Sequence, residues 1–325
     1  MPVLSTELKV YKSVEMNDTT TNGGYMSANL SVTGVRNNIF PDAPDMERQS
    51  GSTKYRKVFW KIENDDDLLF NLSKIYMSLY TVGADYITMF AGTQRDVQSD
   101  ITGSERQYGA APLTNDISAT AQSLIVTLED ASLDIFQNAD TIWIGDGTNE
   151  EFHTNVSIVK SGDQVTITLD SGDQIGSNYD DADTVVASVF NVGTIETTSD
   201  SWTVSSVSGT YDDTTYPLVL DNIGTVEQDW TLAFTSATQF NCTGNILGAV
   251  GTGDISTDYS PDNADFTKPY FTLNHLGFGG TWAMGDTITF TTHPASQGIW
   301  FKRVIDPNTN SSANEFRHTL TGESA

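Results

Sequence analysis

Apolar and polar positions alternate with a period of two along most of this chain, and that period predicts strands. In 54–62, Val58, Trp60 and Ile62 fall on one face, with basic residues interleaved on the other. The acidic run at 64–67 interrupts, and strand-like apolar runs resume over 68–80 and 86–90 around a turn at Gly83. Near the far end, Ile299, Phe301, Arg303 and Ile305 alternate with Trp300, Lys302 and Val304. A polar connection from Asp306 then leads to Phe316, His318 and Leu320. This reads as a hairpin whose partners are the strands near 54–90. Neither end alone has enough strands to bury a core, so together they are expected to complete one β-sandwich.

The middle of the chain predicts strands as well, at 140–144, 164–169, 202–204, 230–234 and 286–290, separated by turns such as Ser161-Gly162-Asp163 and Ser171-Gly172-Asp173. No helical stripe is sustained. The best candidate, 119–136, has a Leu-Ile-Val-Thr-Leu centre that prefers strand. The expected fold class is mainly β, a β-sandwich body with a second β-rich domain inserted between its strands.

Charge marks the boundaries of that insertion. Residues 113–293 hold 26 Asp and Glu against Lys160 and Lys268, a net −24 out of −27 for the whole chain. The expected division is therefore a discontinuous body, 1–112 and 294–325, around an acidic β domain, 113–293, that divides further if it holds two modules. No apolar signal core opens the sequence, and no stretch approaches the ~18 apolar residues of a membrane span. The single cysteine, Cys242, excludes a disulfide within the chain and is expected to be a buried thiol.

The chain carries no phosphate-binding loop, nucleophile elbow, zinc-protease helix or dinucleotide fingerprint, so no enzymatic activity is expected. His153, His275, His293 and His318 are widely spaced and read as packed or surface side chains. The acidic turns 146–151 and 170–183 offer oxygen ligands of the kind calcium takes. Neither has the spacing of a calcium-binding helix–loop–helix, and solvated loops are the expectation, with no cofactor. Phosphate contact needs Lys and Arg, which the acidic block lacks, so nucleic-acid binding is not expected. The cations of the body, Lys54, Arg56, Lys57, Lys61, Lys302 and Arg303, form either a solvated strand face or a contact surface for an acidic neighbouring subunit. Trp143, Trp202, Trp230 and Trp282 would stack on sugars if exposed; sitting in apolar runs, they are expected in cores.

Three segments resemble uncharacterised virion structural proteins of contractile-tailed bacteriophages: 52–59, 92–96 and 278–304, the last from Phe278-Gly279-Gly280-Thr281-Trp282 through Ile299-Trp300-Phe301-Lys302-Arg303-Val304. The resemblance implies a neck or collar component at the head–tail junction. It would assemble with copies of itself, in rings of six or twelve, and with other neck, capsid or tail proteins. It implies no active site, assembly in the host cytoplasm and residence in the virion, without membrane contact. The alternatives are a capsid decoration, a baseplate part or a glycan-binding β-sandwich module.

Overall fold

The period-two segments pair as antiparallel strands throughout a computed structural model that describes residues 2–83, 85–310 and 314–324. The body begins with β1 (Leu8–Glu15), β2 (Gly23–Leu30), β3 (Ser52–Ile62), β4 (Phe70–Leu79) and β5 (Asp85–Ala91). One turn and a half of helix, Asp45–Ser50, stops at Gly51, whose positive φ of 76° no longer fits a helix.

Next come β6 (Ala110–Pro112), β7 (Ser123–Thr127), β8 (Thr141–Gly145), β9 (Glu150–Ser161), β10 (Gln164–Leu169) and β11 (Val185–Ser188). They form one sheet in the order β6-β11-β8-β9-β10-β7. A bridge between Leu113 and Val126, with the Thr114 N–H donating to the Ile125 carbonyl, joins its outer edges. The sheet thus closes around Leu124, Val126, Ile142, Ile144, Val165 and Ile167. Alternation explains the closure, since every second residue of β10 is buried: Val165, Ile167 and Leu169.

The chain then returns to the body. β12 (Phe190–Ile195) pairs with β4 and gives Ile195 to the body's core. A third group follows: β13 (Thr198–Ser205), β14 (Ser208–Tyr211), β15 (Gln228–Phe234), β16 (Gln239–Gly244), β17 (Gly248–Asp254), β18 (Asp262–Asn263), β19 (Lys268–Pro269), β20 (Phe278–Thr281) and β21 (Thr287–His293). Five of these make a sheet in the order β13-β21-β15-β16-β17 over an aromatic core that includes Trp230, Phe234, Phe240, Phe271 and Phe290.

β22 (Ser296–Ile305) and β23 (Arg317–Ser324) complete the body. Its larger sheet runs β2-β1-β3-β22-β5 and its smaller one β12-β4-β23. The expected hairpin of 299–320 is not formed, because β22 pairs with β3 and β5 whereas β23 pairs with β4 in the other sheet. Ile299 and Phe301 on β22 and Leu320 on β23 reach the same core from opposite layers, so the two strands belong to different sheets of the sandwich.

Candidate functional site

The core-facing half of the β3 pattern behaves as expected: Val58 and Ile62 are buried in the sandwich core, with Trp60 packed against it. The basic half does not lie on a solvated face. Loops and the third strand group cover Lys57 and Lys61, whereas Lys54 and Arg56 share the face of Val58, so the alternation does not put every cation on one side, and the buried ones must find partners in the interior.

Lys57 is fully buried. Its ammonium sits 2.6 Å from Asp96 Oδ1 and donates to the carbonyls of Gly24 and Asp96 at 2.8 and 3.0 Å. Burial pulls its pKa below the usual lysine value, against the opposing pull of Asp96. The other carboxylate oxygen of Asp96 accepts from Trp300 Nε1 at 2.7 Å, and Thr93 donates to Oδ1 through both its N–H and its hydroxyl. The indole leaves no room beside it: at Gly23, where φ is 102°, a Cβ would lie 2.5 Å from the Trp300 ring.

The neighbouring residue extends this node into the third strand group. Arg95 grips Asp229 with two bonds of 2.7 Å and donates from Nε to Glu227 at 2.6 Å. Glu227, itself buried, also meets His293 Nδ1 at 2.7 Å. Arg95, more than burial, holds the Asp229 carboxyl below the ordinary carboxylate range, as expected for a bidentate guanidinium pair. Gln94 donates to the Ser296 carbonyl at 2.8 Å. The four-residue turn 93–96 therefore joins β3, β22, the β2 entry and β15.

Lys61, also fully buried, donates to the Ile223 carbonyl, lies 3.6 Å from the centroid of the Phe266 ring and is 3.5 Å from Glu63. Burial lowers its pKa to about 8. Nearby, the Asn222 N–H donates to Asp67 and its amide to the Leu68 carbonyl, and Lys268 pairs with Asp65 at 3.0 Å. Arg56 binds Asp18 and the Asn17 carbonyl; Lys54 bridges Asp18 and Glu47. Burial acts to raise the Asp18 pKa, but these two cations bring it below normal. Arg303 is buried on the Phe40 ring. Lys302 stays partly exposed and makes no ion pair among the described residues. The six cations thus do not gather into one patch, and four of them, Arg56, Lys57, Lys61 and Arg303, lie in the interior.

The two acidic turns meet at His153, whose ring nitrogens contact Asp173 at 2.7 Å and Glu151 at 2.9 Å. Asp116, Asp180 and Asp181 bring exposed carboxylate oxygens within 4.8 Å of one another, and the Asp181 N–H donates to Asp116. The tryptophans face inward: Trp143 stacks on Tyr76 at 4.8 Å, Trp282 on Phe234 at 4.1 Å, and Trp230 is buried; Trp202 is half-buried against Phe290. Trp143, Trp230 and Trp282 are thus core side chains. Cys242 is buried, and burial pushes its thiol up to about 12.

No protein-family model matches the chain, and no curated protein matches it. Two solved structures of bacteriophage P23-77 overlap it weakly. One is VP17, a capsid protein, with 10% identity over 79% of this chain and 89% of VP17 and a TM-score of 0.18. The other is the complex of the two major capsid proteins VP16 and VP17, with 9% identity, 78% and 98% coverage and the same TM-score of 0.18. Overlap at this level does not establish a shared fold.

The turn 93–96 is the part of the site that sequence reading left unassigned a role. Thr-Gln-Arg-Asp has the composition of a polar turn, and nothing local indicates that Arg95 reaches Glu227 and Asp229 across more than 130 positions. An isolated arginine followed by an aspartate, in a chain with 16 cations and 43 acids, was the available signal.

Proposed function

We propose that the chain is a structural component of a phage particle, placed in the neck at the head–tail junction and acting by packing against copies of itself, without catalysis. The observation that carries this reading is where the resembling segments lie. Segments 52–59, 92–96 and 278–304 are far apart in sequence, yet they supply Lys57, Asp96 and Trp300 to one buried node and Arg95 to the clamp on β15. Their chemistry is spent on holding strands together, which is the requirement on a building block. We further propose that 110–188 and 198–293 are two modules carried on the sandwich body, in place of one continuous insert, because each has its own core and β12 between them belongs to the body's smaller sheet.

Most of the net charge belongs to the modules, so close approach of neighbouring modules is opposed by repulsion that salt screens over ~10 Å at 0.1 M. Contacts between bodies, with Lys302 among the accessible cations, escape that cost and favour a closed ring. Native mass spectrometry across a salt series, with antibody labelling of purified particles, tests the reading. A closed oligomer strengthened by moderate salt, and label at the neck, is expected. A monomer at every salt that is also missing from the particles overturns it.

A further inference from the structure

Polar atoms buried without a hydrogen-bond partner concentrate in one place. Among the described residues, Arg303 Nε and Nη2, Thr309 Oγ1 and Asn314 Oδ1 are all in this condition, and all three residues line a single cleft of about 890 Å³ at one end of the sandwich. That volume is in the range of small-molecule sites, ~300–1,000 Å³. Its walls are mixed: Phe40, Trp60, Ile87, Ile305 and Phe316 give it an apolar stretch, and polar and charged side chains, Asp42, Asp85 and Glu315 among them, line the rest, with the strap at 31–43 crossing it.

Arg303 is the unusual wall residue. It is only 6% exposed, its Nη1 donates to the Pro41 carbonyl at 2.8 Å, and its guanidinium carbon lies 4.8 Å from the centroid of the Phe40 ring. It makes no ion pair among the described residues, whereas the nearby Arg36 and Arg48 are neutralised by Asp42 and Asp45. Burial accordingly lowers its pKa. The two donors left over, Nε and Nη2, are the side-on fork that a carboxylate fills with two parallel bonds. A buried guanidinium with that fork empty is costly, and a bound carboxylate removes the cost.

We propose that this cleft binds an apolar molecule bearing one carboxylate, with the carboxylate on the Nε–Nη2 fork of Arg303 and the apolar part along Trp60, Ile87, Ile305 and Phe316. The site is separate from the assembly role and does not depend on it. Entry requires the 31–43 strap to shift, because the unpaired atoms are closed to solvent; the strap is held by the Arg303–Pro41 bond, the Arg48 bond to the Ala43 carbonyl, the Ser31 N–H bond to the Val10 carbonyl and the Phe40 ring packed in the body's core.

Calorimetric titration of the intact chain with decanoate, and separately with decanol, provides the test. Expected is saturable binding of one decanoate per chain, with decanol weaker by about tenfold or more, which corresponds to ~1.4 kcal/mol. The chain's net charge of −27 repels anions, so bulk electrostatics would give the reverse order. Arg303→Met, which retains the apolar stem, should bring decanoate down to the affinity of decanol. Equal binding of the two ligands by the unaltered chain overturns the proposal, as does full decanoate affinity in Arg303→Met or no saturable binding at all. The ligand pair alone decides the matter should the variant fail to fold.

Discussion

Replacing Asp96 by alanine should unfold the body under conditions where the unaltered chain is stable. The substitution strips the carboxylate partner from Lys57, which is fully buried and keeps the carbonyls of Gly24 and residue 96 and the faces of Phe59 and Trp300. Breaking a buried pair from one side costs about 3–5 kcal/mol. It also removes the acceptor of Trp300 Nε1, and an unsatisfied buried donor costs about 1–3 kcal/mol more. The total, roughly 4–8 kcal/mol, compares with the ~5–15 kcal/mol that holds a typical domain folded. Lys57→Met should be much milder, under about 2 kcal/mol, because Asp96 is partly exposed and retains its bonds from Thr93 and Trp300. Combining Lys57→Met with Asp96→Asn should recover much of the loss, since no unpaired charge remains. Urea unfolding followed by circular dichroism measures all three. If Asp96→Ala cost less than about 1 kcal/mol, or Lys57→Met cost as much as Asp96→Ala, the node would not be the fastening described here.

Lys61 supplies a pH test. Its folded pKa of about 8 lies below the 10.5 of a free lysine, so between those values the unfolded chain binds the extra proton and stability should rise with pH. The relief amounts to about 3 kcal/mol, and it should be absent from Lys61→Met; identical pH profiles of the two proteins over pH 8–10 would refute the assignment. Excision gives a structural test: replacing 113–188 by a short Gly/Ser linker spares β12, whereas excising 113–293 removes it along with Phe190 and Ile195 from the body's core. The first shortened chain should retain a cooperative thermal transition at higher temperature than the second, and the reverse order would count against β12 as part of the body.

Strand positions were legible because alternation is a local signal: 164–169 was expected and β10 spans Gln164–Leu169. The partnership of the far end with the strands near 54–90 was legible as well, from the shortage of strands at either end. What alternation cannot express is the layer that lies over a strand's second face. The Lys and Arg of β3 read as a solvated face or a subunit contact because basic residues on a strand are usually exposed, and the segments that bury Lys57 and Lys61 belong to distant sequence. The hairpin was misread because Ile299 and Leu320 show that both strands are apolar on one side, not that the two strands are hydrogen-bonded neighbours in one sheet. Charge composition set 113–293 apart but gave no sign that β12, six residues of neutral composition within that block, pairs with β4.

β22 is an inner strand of the larger sheet, between β3 and β5, although it begins at Ser296 of 325 residues. On the ribosome, β3 and β5 must wait for some 200 further residues, ~10–40 s at ~5–20 residues per second. Meanwhile the local strands of the closed β6–β11 sheet can pair at once. Throughout that interval the emerging body presents two long, unfilled strand edges, each a template for any suitable strand. The β22 of another nascent copy fits that gap as well as the chain's own, so crowded synthesis should yield chains that share strands. Growth at low expression level, which lets each chain finish alone, selects between a self-completed sheet and an exchanged one.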